Sequence, residues 1–177
     1  MISIEEMNQL KAFARQDALL LGAVWIASFA FVVMAPESIF GSLLALASPF
    51  VVGWRLGRFR DVGRDGIISF RRGYGYSVYT FLYASLLFAL AQYLYFRFID
   101  GGTFLQMLND SVTTFGPLYE QYGLKMQDLQ QALAGMQSLS AVQWAFMLMM
   151  QNFFIGFILS IPIAAICARK TKTVSGS

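Results

Sequence analysis

Four stretches of this sequence are long and apolar enough to cross a lipid bilayer, and this feature constrains the fold more than any other. They cover residues 18–35, 38–56, 74–96 and 142–168, and only the second holds a charged residue, Arg55. The hydrocarbon core is ~30 Å thick and a helix rises ~1.5 Å per residue, so a span needs about 20 mostly apolar residues. The sequence therefore predicts an all-α integral membrane protein, a four-transmembrane-helix bundle.

The composition supports a membrane protein and weakens one soluble alternative. Hydrophobic residues make up 57% of the chain and charged residues 13%, whereas a soluble domain has about 25% charged residues. The net charge of +3 would indicate nucleic-acid binding only if the basic residues formed a soluble face. They flank apolar stretches instead, so we expect no nucleic-acid partner.

The links between the spans differ greatly in length. Pro36 and Glu37 alone connect the first two spans, which predicts an antiparallel helical hairpin. Residues 97–141 separate the third and fourth spans and form two amphipathic pieces, which we expect to be split by Gly116-Pro117. Neither piece is apolar enough to span. This insertion is predicted to lie on the membrane surface or to cap the bundle.

The two ends of the chain complete the predicted organisation. Residues 3–16 are a candidate N-terminal interfacial helix, which either lies in the membrane interface or continues into the first span. Residues 1–172 are expected to form a single membrane domain, and residues 173–177 a flexible tail. The polar start lacks the pattern of a cleavable signal peptide, so we expect the first span to remain in the mature protein.

Basic residues are distributed very unequally between the two ends of the spans. With four spans, 11 of the 13 basic residues fall on one side, and only Arg97 and Lys125 fall on the other. Basic residues next to spans stay in the cytoplasm. We therefore expect both termini to be cytoplasmic, in a bacterial inner membrane, and residues 97–141 to be periplasmic.

Much of this charge lies in one short basic stretch between the second and third spans. Its arginines are Arg55, Arg58, Arg60, Arg64, Arg71 and Arg72. We interpret them as a topology anchor that also contacts anionic lipid headgroups, with docking of a cytoplasmic protein or a phosphate-bearing lipid as the alternative. Asp61 and Asp65 interrupt the positive charge, which argues further against nucleic acid.

Polar and small residues inside the spans are the remaining candidates for function. The deepest polar residues are Gln92, Gln151 and Asn152. We expect their side chains to hold helices together through hydrogen bonds or, alternatively, to line a solute pathway. Small residues recur at helical spacing at Gly53 and Gly57, and again at Gly156, Ser160 and Ala164. These allow helices to approach closely, either within the monomer or at a homo-oligomer or partner interface.

Residues near the span ends are expected to face the membrane interface. Trp54, Trp144, Tyr74 and Tyr76 are predicted to form aromatic belts. Asp17 and Arg55 also lie at span ends, from which their side chains can reach the interface.

Residues for catalysis are scarce. The chain has no histidine and one cysteine, Cys167, which we interpret as a small buried hydrophobe. Without histidine the sequence shows no nucleophile–base pair, and the acidic residues follow no metal-binding spacing. We expect no catalytic residues, no metal and no cofactor, and hence no enzyme.

Short motifs around the basic stretch resemble one bacterial family. Phe59-Arg60-Asp61 and Gly66-Ile67-Ile68-Ser69-Phe70 precede the third span, and Tyr95-Phe96-Arg97-Phe98-Ile99-Asp100 ends it. The arrangement is similar to the family named domain of unknown function four-one-nine-nine, although that family often has two glycines where this chain has Gly66. The resemblance implies a four-span inner-membrane protein without assigned activity, associated with membrane glycosyltransferases that act on lipid-linked sugars.

Three functions are open at this point. The first is an accessory or scaffolding subunit that binds another membrane protein or lipid. The second is a small oligomeric transporter or channel, and the third is an anionic-lipid-binding protein associated with a lipid-linked glycosyltransferase.

Overall fold

Residues 4–169, which a computed structural model describes, form a chain of α-helices without a β-strand. The helices are α1 Ile4–Met34, α2 Phe40–Leu46, α3 Ser48–Gly63, α4 Phe70–Phe98, α5 Thr103–Gln121, α6 Met126–Met136 and α7 Ala141–Cys167. Four helical segments are long and apolar enough to cross a membrane: α1, α2 with α3, α4, and α7. The predicted all-α four-span protein is therefore confirmed. Ser3, Lys170, Lys172 and the tail at 173–177 lie outside the described residues.

The N-terminal segment is not a separate helix. α1 continues from Ile4 to Met34, so the segment extends into the first span, as one of the two alternatives stated. The chain contains neither glycine nor proline before Gly22, and these are the residues that most weaken a helix.

The second span consists of α2 and α3, and Ala47 between them keeps helical backbone angles, with a φ of −70° and a ψ of −16°. Pro49 has no N–H to donate to the carbonyl of Ala45, which is the usual helical partner. The hydroxyl of Ser48 donates to that carbonyl instead, at 2.6 Å. The indole Nε1–H of Trp25 donates to the same hydroxyl oxygen at 2.8 Å. The proline therefore removes one backbone hydrogen bond from this span, and the hydroxyl of Ser48, held by Trp25 of α1, replaces it.

The first two spans form the expected hairpin, with a turn at Pro36-Glu37 between α1 and α2. Their close approach depends on Gly41, where an added Cβ would meet Val32 and the carbonyl of Ser28. The hydroxyl of Ser28 donates to the carbonyl of Gly41 at 2.7 Å. A small residue and a hydroxyl group thus join the two helices inside the apolar region.

The chain divides into two compact units, one formed by the residues up to Ala89 together with those from Leu148 onward, and one by residues 90–147. In the first unit, Trp25 of α1 packs on two aromatic rings of α4, with centroids 6.1 Å from Phe81 and 5.8 Å from Phe88. Aromatic pairs of this kind add to the burial of apolar area. Leu21 and Leu56 complete the same buried core.

The second unit contains α5 and α6, and the predicted break at Gly116-Pro117 is wrong. α5 runs through Pro117 to Gln121, although an interior proline removes one amide donor and usually kinks or ends a helix. Gly116 instead lets α6 approach, since an added Cβ would overlap Met126. The helix ends at Gln121, and Gly123 two residues further on has a φ of 83°, which is favourable for glycine.

Candidate functional site

The basic stretch from Arg55 to Arg72 is mostly helical. α3 continues to Gly63 and α4 begins at Phe70, so only residues 64–69 form a loop. Gly66 has a φ of 82°, and its N–H donates to the carbonyl of Arg60 at 2.9 Å. A left-handed residue ends a helix this way because it turns the chain while a terminal carbonyl keeps a donor.

Arg55 of α3 binds a buried carboxylate on α1. Its Nε donates to Asp17 at 2.6 Å, and its second contact with the same oxygen makes an ion pair. The hydroxyl of Tyr76, on α4, donates to the other carboxylate oxygen. Asp17 is only 3% exposed. Burial of a carboxylate is costly unless the charge is paired and hydrogen-bonded, and Arg55 and Tyr76 provide both contacts. The expectation that Asp17 reaches the interface is wrong.

Glu6, nearer the start of α1, binds two more arginines. Arg64 donates to one oxygen at 3.0 Å and Arg72 to the other. Arg64 is the first residue of the loop at residues 64–69, and Arg72 lies in the first turn of α4 after it. Glu6 therefore joins the end of α3 and the start of α4 to α1.

The fourth bound arginine, Arg60, contacts the end of α7. Its Nη1 donates to the carbonyl of Cys167 at 3.1 Å, and its other nitrogens bind Asp61. Next to this contact, Ile68 and Arg169 exchange two backbone hydrogen bonds of 3.1 and 2.9 Å. The loop is thereby fixed to the last residues of the fourth span. Cys167 is buried, as expected.

Arg58 and Arg71 differ from the other four arginines of the basic stretch. Both are exposed, and neither has a hydrogen bond or ion pair with the residues the structure describes. The candidate docking residues thus separate into two groups. Arg55, Arg60, Arg64 and Arg72 hold helices together, and Arg58 and Arg71 are available to a ligand.

The partners of the arginines were missed in the sequence although a signal exists. Glu6 and Asp17 are separated by 17 − 6 = 11 positions on α1. That spacing is close to three helical turns, so both carboxylates lie on one side of the helix. Tyr76 gives no comparable signal, because it is one of eight tyrosines.

The two sets of small residues have different surroundings. A Cβ added at Gly156 would overlap the ring of Phe81, whereas one added at Gly53 or Gly57 meets nothing within 4 Å. Ser160 is fully buried, and its hydroxyl donates to the carbonyl of Gly156 at 2.7 Å. The α7 set therefore packs inside the chain, whereas the α3 set has open space where a Cβ would lie, although the thiol of Cys167 on α7 donates to the carbonyl of Gly53 at 3.5 Å.

The three polar candidates are also in different environments. Gln151 is exposed, and Asn152 donates to the carbonyl of Leu148 on its own helix at 2.8 Å. Gln92, in the second unit, is 2% exposed, and its Oε1 accepts no hydrogen bond from the described residues. Most buried polar groups in proteins have a partner, so Gln92 is the unusual member of this set.

The predicted aromatic belts need correction at two positions. Tyr76 is fully buried and stacks on Phe59, with ring centroids 5.1 Å apart. Trp144 is buried as well and contacts both Phe96 and Phe104 at 5.5 Å. Both are core residues because each ring meets other rings inside its own unit. Trp54 is exposed, as an interfacial residue would be.

Residues 4–169 contain no group of side chains arranged as metal ligands. No group of three or more histidine, cysteine, aspartate or glutamate side chains is placed there to hold an ion.

A protein-family model described as protein of unknown function (DUF4199) matches residues 16–169. The chain belongs to the DUF4199 family. Comparisons with curated proteins and with solved structures give no match. The family assignment confirms the resemblance seen at the basic stretch and at the end of the third span.

The DUF4199 motif residues have structural contacts in this chain. Arg60 holds the end of α7, as described above. At the end of α4, Asp100 accepts hydrogen bonds from the N–H groups of Gly102 and Phe104 at 3.1 and 2.8 Å, and from the hydroxyl of Tyr95 at 3.0 Å. The carboxylate thereby satisfies free backbone donors at the start of α5.

Proposed function

We propose that this DUF4199 protein is a non-enzymatic accessory subunit of the bacterial inner membrane, which binds a transmembrane helix of another membrane protein on α3. The observation that carries the proposal is the open surface at Gly53 and Gly57, where nothing lies within 4 Å of an added Cβ. Both termini are cytoplasmic in this proposal, because basic residues next to the spans favour that side.

The contrast with α7 supports an external use of α3. Gly156 accommodates Phe81, and the buried Ser160 continues the same packed side. Small residues in spans allow backbones to approach, so that packing and hydrogen bonds hold the helices together. On α7 a neighbour in the chain occupies the space. On α3 the equivalent space is open.

Large side chains flank the open surface of α3. Phe50 is 78% exposed and Trp54 is 59% exposed. With about 100° of rotation per residue, both lie next to Gly53 and Gly57 on the helix surface. Both rings lie on the same side of the two glycines and would pack against a helix that crosses α3 at close range.

Co-purification tests this proposal. The tagged protein would be isolated from its native membrane in mild detergent, as wild type, Gly57→Leu and Gly75→Leu. Gly75 is a matched control because an added Cβ meets nothing within 4 Å there either. We expect a stoichiometric membrane protein with the wild type and the control, and its loss with Gly57→Leu. Isolation of the wild type without a partner, alone or as a homo-oligomer, would overturn the proposal.

A glycosyltransferase that acts on lipid-linked sugars is the partner implied by the resemblance. Its involvement would be tested by measuring glycosyl transfer to lipid carriers in membranes of a deletion strain. Restoration by the wild-type protein, but not by Gly57→Leu, supports this partner. Unchanged transfer after deletion argues against it.

A small oligomeric transporter or channel is the second candidate, and Gln92 is the observation that favours it. Its buried Oε1 lacks a donor among the described residues, and a water or solute could supply one. Against this, Ser77, Thr80 and Ser85 donate to carbonyls of their own helix. Solute flux in proteoliposomes that disappears with Gln92→Leu would favour transport over the accessory role.

A further inference from the structure

A cavity of about 280 Å³ lies between α1 and α3, and it contains Arg58, an arginine of the basic stretch without an ion pair among the residues that the structure describes. Its polar wall consists of Gln16, Asp17, Arg55 and Arg58. Phe13 and Val62 contribute apolar surface. From this arrangement we infer that the cavity binds the phosphate group of an anionic phospholipid.

The charge in the cavity favours a monoanion. Asp17 is already bound by Arg55 and by the hydroxyl of Tyr76. Arg58 is exposed and has no ion pair among the described residues. Two guanidinium groups and one carboxylate leave a net charge of 2 − 1 = +1 in the wall. A phosphodiester carries one negative charge and would balance it.

The geometry of the donors suits a phosphate. Arg58 presents a planar guanidinium group that can donate two parallel hydrogen bonds to phosphate oxygens. Arg55 is a positioning residue, because Asp17 holds its Nε at 2.6 Å while the residue still lines the cavity. A fixed cation next to a free one lowers the ordering cost of binding.

The surroundings indicate a lipid rather than a soluble phosphate. Arg58 lies near the end of a membrane-spanning segment that continues to Gly63, where arginine side chains meet headgroups. Phe13 and Val62 give the cavity an apolar edge, and Val62 is largely exposed. A ligand with a phosphate and an apolar part matches both kinds of wall.

The two glycines of the proposed helix-binding surface lie apart from this site, although the guanidinium group of Arg55 lies 5.4 Å from the centre of the Trp54 ring beside them. Arg55, Arg58 and Val62 line the cavity, and at about 100° per residue they lie on the side of α3 opposite Gly53 and Gly57. A lipid in the cavity and a helix on the glycines can therefore bind at the same time. Failure of either test leaves the other unaffected.

Native mass spectrometry in mild detergent tests the inference with phosphatidylglycerol, phosphatidylcholine and inorganic phosphate. The variants are Arg58→Gln and, as the matched control, Arg71→Gln, which removes the other exposed arginine of the basic stretch that has no ion pair within residues 4–169. Hydrogen bonds from a charged donor contribute more to binding than neutral ones do. We therefore expect Arg58→Gln to weaken phosphatidylglycerol binding about tenfold. The control and the wild type should bind it equally and prefer it to phosphatidylcholine.

Three outcomes would overturn the inference. Equal loss in both variants would mean that overall charge, not the cavity, attracts the lipid. Equal binding of the two lipids would mean that the headgroup charge is not recognised. Displacement of phosphatidylglycerol by an equal concentration of inorganic phosphate would identify a soluble anion as the ligand. Matching thermal unfolding of all variants verifies that each one is folded.

Discussion

Arg55 of α3 donates a hydrogen bond of 2.6 Å to Asp17 of α1, and that carboxylate is almost fully buried. The contact joins α1 of the first span to α3 of the second span. Arginines that looked in the sequence like a surface patch thus contribute to the interior of the protein. Their contacts lead to specific expectations for stability and topology.

Asp17→Asn should destabilise the protein because it leaves Arg55 without its counter-charge. Removal of one partner of a buried ion pair costs about 3 kcal/mol or more. Thermal unfolding in detergent, followed by circular dichroism, measures the effect. Asp110→Asn is the control, since Asp110 is exposed, and its transition should not move. Equal transitions for the two variants would contradict the assigned contact.

Tyr76→Phe should have a smaller effect in the same assay. The change removes one donor to Asp17 but keeps the ring that stacks on Phe59. Loss of a hydrogen bond to a charged group costs about 1.5–3 kcal/mol. Tyr76→Phe combined with Asp17→Asn should cost less than the sum of the single changes, because both act on one network. Strict additivity would show that the two residues do not interact.

Gly156→Ala should destabilise the bundle, whereas Gly53→Ala should not. A methyl group at Gly156 would overlap the ring of Phe81, but at Gly53 it meets open space. Overpacking costs about 1–3 kcal/mol, while alanine in an open helical position is favoured over glycine by up to about 1 kcal/mol. Chemical denaturation in mixed micelles compares the two. A similar loss at both positions would be inconsistent with the packing described here.

The end of α5 should contact the membrane interface. Phe115, Leu118 and Tyr122 are exposed there, and interfacial helices place aromatic and aliphatic residues on the lipid side. A spin label at Leu118→Cys, in a Cys167→Ala background in proteoliposomes, should be accessible to oxygen. The same label at Thr113→Cys, on the opposite side of α5, should be accessible to a water-soluble nickel reagent. Water accessibility at both positions would place the end of α5 away from lipid.

The sequence predicts the spans better than it predicts the site, and the reason is physical. Burial of a span depends on the summed hydropathy of many residues, so a few errors do not change the result. The contacts at Ser48 and Gly116, by contrast, each depend on a single neighbour, namely the carbonyl of Ala45 and the side chain of Met126.

The ion pairs show the same limit. Arg64 and Arg72 could be recognised as basic residues next to a span, but their shared partner Glu6 is 58 and 66 positions away in the chain. Only the helical spacing of Glu6 and Asp17 links them to one side of α1. Which arginine each carboxylate binds depends on how the helices pack, and no local pattern records that.

The topology of the basic stretch is the claim on which the rest of the account depends. The test uses two single-cysteine variants in a Cys167→Ala background, Ser69→Cys in the loop and Gln130→Cys in α6. Intact spheroplasts with each variant would be treated with a membrane-impermeant maleimide. Both positions are exposed in the structure. We expect labelling at residue 130 only, and labelling at residue 69 only after the membrane is opened, because basic loops remain in the cytoplasm. Labelling of residue 69 from outside intact cells would contradict the account.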